Sequence, residues 1–376
     1  MKRLLCIAGS MDAGGAETFL MKIYRKIDKA NYQMDFYVLT DKPGFYDKEI
    51  QLLGGRIYHG TAKSDGFLTY ARALKRVVQE NHYDYVLRMS QNSLSALDLM
   101  IAKYAGAKCT VFRSTNSHVY GGQAEYIVHR LFRPIANKII DVKIAPSKEA
   151  AVFMFGRRAY EKGKVTILNN GIDLDTYRFD FEKRDAIRNE LGITDKFVIG
   201  HIGRFNFQKN HTFLFAIYKE VLQKRKDAVL LLLGAGECET NIKALVHADG
   251  LDDKVFFLGV KRNTPDYYSA MDFFVFPSLY EGMPNTVIEA QASGLPCIIS
   301  EAITKDVQII PSLSFESLQK TAVEWADTII KKAEERYNRM GKEISECFMD
   351  KGFAIEEVLN EFTALIFGVP TGESDE

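Results

Sequence analysis

The sequence predicts two doubly wound α/β domains in tandem, each built on a mostly parallel sheet. Three observations carry this. Short β-rich runs alternate with helical patterns through the first half, which is the order of βαβ units. The pattern restarts after residue 196 with a second series of strands. Glycine turns recur where a strand hands over to a helix.

In the first half the expected strands are 3–8, 34–39, 56–58, 85–88, 109–113 and 139–145. Helical stretches at 17–27, 68–79, 94–104 and 124–135 lie between them. In the second half strands are expected at 197–203, 228–233, 255–258, 273–276 and 296–300, with helices such as 211–224 and 285–293. The run 229–233 is apolar throughout, as a strand buried on both faces requires. The join falls in the polar stretch 169–178, which sets domains of 1–172 and 173–354. Residues 315–367 read as helical, and 370–376 as a frayed tail.

The 376 residues suit two domains, and 47% hydrophobic content suits ordinary packed cores. The net charge of zero conceals an asymmetry. Residues 1–180 hold 27 Lys+Arg and 18 Asp+Glu, a net +9, and the remainder balances this at −9. The basic half suggests an anionic partner: a membrane surface, phosphates or nucleic acid. No recognised nucleic-acid module is present, so nucleic acid ranks last. Five cysteines lack metal or redox spacing, and a reducing cytosol fits them. The N-terminus is basic and briefly apolar, but Asp12 and Glu17 follow at once, so it reads as a first strand rather than a signal peptide. No window approaches the ~18 apolar residues of a membrane span. The expected location is cytoplasmic, with peripheral association at the inner face of the cell membrane.

Four motifs carry candidate chemistry. Gly14-Gly15-Ala16-Glu17 joins the first strand to the first helix and could bring backbone N–H groups to an anion. Gly203-Arg204 with Lys209 follows the first strand of the second domain, where a planar fork and a point charge suit a diphosphate. Leu233-Gly234-Ala235-Gly236 could lie under a base or ribose. Glu281-Gly282-Met283-Pro284-Asn285-Thr286 leads to Glu289 on a helix, placing two carboxylates for sugar hydroxyls beside helix N–H groups. Taken singly, the glycine turns serve equally well as tight strand-to-helix connections, and one acid near a helix start is what its dipole favours.

Together these residues resemble the retaining GT-B glycosyltransferases of family four. Glu281-x7-Glu289, the Glu-Ala-x-Ala-x-Gly-x-Pro run ending at Pro296, Gly14-Gly15-Ala16-Glu17, Asn170-Gly171-Ile172-Asp173, and Gly203-Arg204 with Lys209 occur in family order. The layout is similar to the family's exopolysaccharide and capsule enzymes. The resemblance implies two Rossmann-like domains facing a cleft, with a C-terminal helix at about 355–367 packing back on the first. It implies that Arg204 and Lys209 bind the donor diphosphate and that Glu281 contacts the donor sugar. Asn285 and Thr286 would add backbone contacts, Glu289 would bind the ribose, and Gly15 would sit beside the diphosphate. Gly203, Gly236, Gly282, Met283 and Pro284 would complete the donor pocket, and His118 would lie near the reaction centre. One departure is Arg88-Met89-Ser90-Gln91-Asn92, where relatives carry a His-x-His-like stretch.

The implied reaction is front-face transfer from a nucleotide sugar, by family frequency a UDP-sugar, to a saccharide or polyprenyl-diphosphate-linked acceptor. No cofactor or metal is expected. Asp173-Leu174-Asp175 reads as D-x-D, but it falls in the linker away from strand ends. The stretch 124–138 sets Tyr126, Ile127, Leu131, Phe132 and Ile135 among the cations His129, Arg130, Arg133 and Lys138. Phe153, Phe155 and Arg157-Arg158 repeat the theme, which suits an anionic membrane surface. The same residues also fit a core-facing helix with a solvated side. Two other readings stand beside transfer: a nucleotide-sugar epimerase on the same architecture, and a non-catalytic partner subunit.

Overall fold

The computed structural model describes residues 1–12, 14–60, 63, 66–115, 122–335 and 337–368. The chain forms two units, one of Met1–Gly171 with Ile355–Glu376 and one of Ile172–Ala354.

The first unit holds a seven-stranded parallel sheet. Its strands are β1 (Lys2–Ala8), β2 (Tyr32–Val38), β3 (Ile57–His59), β4 (Tyr85–Ser90), β5 (Cys109–Ser114), β6 (Val142–Ala145) and β7 (Thr166–Ile167), in spatial order 3-2-1-4-5-6-7. Successive side chains of a strand point to opposite faces, and β1 shows the consequence. Leu4, Cys6 and Ala8 enter one core with Phe19, Leu20 and Ile23 of the helix Gly15–Lys26. Leu5 and Ile7 enter the other, with Leu74 and Val78 of Phe67–Glu80 and Leu99 of Ala96–Tyr104.

The second unit repeats the plan with six parallel strands: β8 (Phe197–Ile202), β9 (Ala228–Leu233), β10 (Val255–Gly259), β11 (Phe273–Phe276), β12 (Cys297–Ser300) and β13 (Leu313–Glu316). Their spatial order is 10-9-8-11-12-13. Val229, Leu231 and Leu233 face one core, and Leu230 and Leu232 the other. This is why the whole run is apolar rather than alternating.

Three readings need correction. The strand expected at 139–145 begins at Val142, because Ile139 ends the helix Gly122–Ile139. The stretch expected to be helical from 315 opens with β13, an edge strand whose Ser314 and Phe315 are only half-buried. Edge strand β7 was not anticipated at all. Helices do fill the rest of the C-terminal region, at Ala322–Ala333, Lys342–Asp350 and Ile355–Phe367.

The chain leaves the first unit after Gly171 and re-enters it at Ile355. The helix Ile355–Phe367 buries Ile355, Val358, Phe362 and Ile366 in the first unit's core. The Phe362 ring meets Phe19 edge-on at 6.1 Å, and Phe367 stacks on Tyr32 at 4.6 Å. Lys2 Nζ donates to the Phe367 carbonyl at 2.7 Å. Phe362→Ala removes a fully buried ring and is expected to destabilise the first unit by about 3–5 kcal/mol. Urea unfolding followed at this unit would read that loss, and an unchanged midpoint would mean the helix is not part of its core.

Candidate active site

In an open parallel sheet, ligands bind outside the carboxyl ends of strands where the winding reverses. In the second unit that point lies between neighbours β8 and β11, from which successive strands are added in opposite directions. The loops leaving these two strands are stitched together. Asn206 accepts from the Lys209 N–H at 3.1 Å and so closes the short 3₁₀ turn Phe207–Lys209. Gln208 Nε2 donates to the Tyr280 carbonyl at 2.8 Å, the Leu279 N–H to the Gln208 carbonyl at 2.9 Å, and Asn210 Nδ2 to the Pro277 carbonyl at 3.2 Å.

This stitching brings the expected charges together. Lys209 Nζ lies 2.5 Å from Glu281 Oε1, both side chains mostly buried at 15% and 11% exposure. The same ammonium sits 4.5 Å over the Phe276 ring. Arg204 is exposed on the same loop. Gly282, Met283 and Pro284 lead from Glu281 into the helix Asn285–Ala292, whose first residues are Asn285 and Thr286. Glu289 is buried inside that helix and accepts from the Tyr268 hydroxyl at 3.2 Å. Burial, with Glu289 adding to it, raises the Tyr268 phenol well above its ordinary pKa, so it remains a donor. Among the described residues, Ser278 Oγ and Thr286 Oγ1 are buried without a hydrogen-bond partner. Such atoms ask for a ligand or water. Tyr268, Phe276, Gln208 and Asn210 were not anticipated, since each acts through a contact far off in sequence; nor was Ser278, whose burial only the fold decides.

The glycines divide into different duties. Gly234 has φ +135°, and a Cβ there would fall 2.0 Å from the Gly203 carbonyl oxygen. A Cβ on Gly236 would fall 2.4 Å from the Phe205 carbonyl oxygen. Both glycines therefore let β9's loop press against the segment carrying Arg204, which Gly203 N→Leu233 O and Phe205 N→Ala235 O bonds hold in place. Gly203 itself leaves room for His201 Nε2 and the Lys209 stem.

In the first unit, Gly15 opens the helix that follows β1, with Gly14 at its cap. His118 lies outside the described residues. Arg88 is buried and pairs with Asp98 at 2.9 Å, as does Lys63 at 2.6 Å, so this departure from the usual His-x-His-like stretch is a buried charge cluster. At the start of the second unit, Asp173 holds the N-cap position of the short helix Leu174–Tyr177 and its carboxylate accepts from the Thr176 hydroxyl at 2.9 Å, while Asp175 is 92% exposed beside Arg178. His129 is not a surface cation. It is buried, takes the Ser93 N–H at Nδ1 (3.0 Å) and sets Nε2 against the Phe153 carbonyl (3.2 Å). Burial holds its pKa below the ordinary value, so it is neutral. Phe155 likewise belongs to the core.

Two family models match the chain: one described as Glycosyltransferase Family 4 over residues 13–176, and one described as Glycosyl transferases group 1 over residues 196–329. The chain is 33% identical over 337 residues to the putative glycosyltransferase EpsF of Bacillus subtilis, covering 88% of each. The chain belongs to the family 4 glycosyltransferases. A second relative is the Escherichia coli UDP-Gal:alpha-D-GlcNAc-diphosphoundecaprenol alpha-1,3-galactosyltransferase, 28% identical over 61% of this chain and 60% of that one. Among solved structures, Anabaena Alr3699/HepE in complex with UDP and glucose superposes with TM-score 0.78 at 19% identity, over 96% of this chain and 98% of that one. The transferase fold is thus the GT-B architecture of two parallel-sheet α/β domains. The group 1 match spans the candidate donor-site residues from Gly203 to Glu289.

Beneath the transferase's Arg204 loop lie two buried histidines, His201 and His211, with ring centroids 4.8 Å apart. His201 Nδ1 faces the Val275 carbonyl at 2.9 Å, and His211 stacks on Phe205 at 4.2 Å. Burial, then the Lys209 charge, pulls His211 down to about 4, and His201 is lowered in the same direction. The unfolded chain takes up these protons near pH 6.5, whereas the folded one resists them. Stability is therefore complete above pH 6.5 and falls as the pH drops toward 4, by about 3 kcal/mol from His211 alone. His211→Phe, which keeps the stack, is expected to flatten the decline in melting temperature between pH 6.5 and 4.5. An undiminished slope would assign that decline to other groups.

Proposed function

We propose that this transferase moves a hexose or N-acetylhexosamine from a UDP-sugar to a saccharide carried on a lipid diphosphate, with retention of anomeric configuration and without a metal ion. The reading rests above all on the meeting of Lys209 and Glu281 at the winding reversal of the second sheet. An ammonium and a carboxylate held there match the two halves of a nucleotide sugar, its diphosphate and its hydroxyls. The E. coli relative, by its name, takes UDP-galactose and a diphosphoundecaprenol-linked acceptor.

In this proposal the second unit binds the donor and the first serves the acceptor. Arg204 and Lys209 hold the diphosphate, and as Lys209 turns to phosphate, Glu281 is released to accept from sugar hydroxyls. Glu289 accepts from the ribose, and Thr286 and the helix N–H groups it shares with Asn285 complete the pocket. Gly15 approaches the diphosphate, and His118 contacts the donor sugar. The bond from the anomeric carbon to the diphosphate oxygen breaks as the acceptor oxygen bonds to the same face. The acceptor's proton passes to the departing phosphate. Fixed cations stabilise the charge that develops there.

At ~100 times its dissociation constant, a nucleotide adds about 2.7 kcal/mol, a shift of roughly 5–11 °C for a domain of this size. UDP is expected to raise the melting temperature where GDP and ADP do not, and Arg204→Ala or Glu289→Ala to abolish the rise. No response to any nucleotide would remove the donor site and favour a non-catalytic subunit. Transfer is expected to survive EDTA and to give, by proton NMR of the first product formed, the donor's own anomeric configuration. An inverted product would sink the front-face mechanism.

A further inference from the structure

The helix Gly122–Ile139 has one face that the fold does not account for. Its inner side is fully engaged. His129 and Ala136 are buried, Ser93 Oγ donates to the His129 carbonyl at 2.8 Å, and Asn137 Nδ2 donates to the Phe155 carbonyl at 2.8 Å. At 100° per residue, Gln123, Ala124, Tyr126, Ile127, Val128, Arg130, Leu131, Pro134, Ile135 and Lys138 share the opposite half of the helix, and all are exposed. Leu131 is 73% exposed, Ile127 56% and Ile135 51%. The outward face of a helix on a globular protein is ordinarily charged and polar. This one is mostly apolar, its only charges are cations, and it holds no acid. The helix's single carboxylate, Glu125, is turned aside to accept from Asn92 Nδ2 at 2.8 Å.

More cations border the face. Arg133 reaches the Phe153 carbonyl at 3.3 Å and passes 3.3 Å from where a Cβ on Gly156 would stand. Gly156 opens the helix Arg157–Glu161, whose Arg157 and Arg158 are exposed. Branched apolar side chains ringed by arginine and lysine, with acids withheld, match an interface of acyl chains beneath anionic headgroups. A second copy is the poorer fit, because a self-complementary contact would set Arg130 and Lys138 against like charges.

We propose that this face is where the protein lies on an anionic phospholipid bilayer, with Ile127, Leu131 and Ile135 entering the headgroup boundary and Arg130 and Lys138 pairing with phosphates. The proposal rests on the lipid-linked acceptor proposed above, which such docking would bring within reach of the first unit.

The test is co-sedimentation with vesicles of phosphatidylcholine alone and of phosphatidylcholine with one third phosphatidylglycerol. The wild-type protein is expected in the pellet with the anionic vesicles and in the supernatant with the neutral ones, and raising the salt should release it. Ile127→Glu with Leu131→Glu is expected to lower partitioning at least tenfold with an unchanged melting temperature, since both side chains are exposed. Arg130→Glu with Lys138→Glu should abolish the preference for anionic vesicles. A wild-type protein that stays in the supernatant with both vesicles overturns the proposal, as does a double-glutamate variant that pellets like wild type. A wild-type dimer that the glutamates dissociate, without vesicle binding, would assign the face to self-association instead. Transfer to a short-chain acceptor in free solution separates the two proposals. All variants should retain it, and its absence from every protein including wild type would count against the transferase reading and not against the docking face.

Discussion

Lys209 and Glu281 stand 72 residues apart in the chain and 2.5 Å apart in space, and much of the second unit is arranged to allow it. Two charges removed this far from water lose hydration that their mutual attraction only partly restores. Such a pair is weak support for stability, and in the proposed function it is held for another partner, the donor. Its position is set by strand order: β8 and β11 are neighbours, and their loops leave at the same edge of the sheet. Hydrogen bonds from Gln208 and Asn210 then lock one loop to the other, so the charges are presented by rigid backbone rather than by free side chains.

The same loop rests on a layer of buried rings. Phe205 stacks on His211, His211 meets His201 edge-on, and His201 stacks on Phe276, and both imidazoles are kept neutral by burial. A neutral layer under Lys209 leaves that ammonium as the local positive charge, uncomplicated by a second cation below. Gly234 and Gly236 close this layer from the side by letting backbones meet where a Cβ would intrude, and Gly203 leaves room for the His201 and Lys209 side chains. A glycine-rich turn at a strand end is commonly read as a ligand cradle. Gly234 and Gly236 serve backbone packing first, and reach the site through the segment they support.

Legibility in the sequence followed burial. The helix His211–Lys224 and the strands Ala228–Leu233 and Phe273–Phe276 fall where the apolar patterns put them. The two strands are buried throughout and the helix buries its apolar side, so composition leaves little choice. Misreadings gathered at the edges. The last two strands, β7 and β13, are short and half-buried, and nothing in two or four such residues distinguishes a strand from a turn. Ile139 and Ile140 looked like the start of a strand because a helix C-terminus against the core is equally apolar. His129 showed a different limit. In sequence it stands among cations, and only its placement against Ser93 and Phe153 makes it a neutral structural link.

By itself the sequence determined the class of fold, the tandem repeat of that fold and the family, since these depend on the period of hydrophobic residues and on motifs that keep their order. It also marked Arg204, Lys209, Glu281 and Glu289 as candidates, because their residue types and spacings are local. Only the tertiary structure decided that Lys209 and Glu281 face one another, that Tyr268 holds Glu289, and that two histidines lie beneath. It likewise decided that the helix Gly122–Ile139 turns Leu131 outward and His129 inward. A hydrophobic pattern says that a face exists, but whether that face meets a core or is left uncovered depends on what the rest of the chain brings against it.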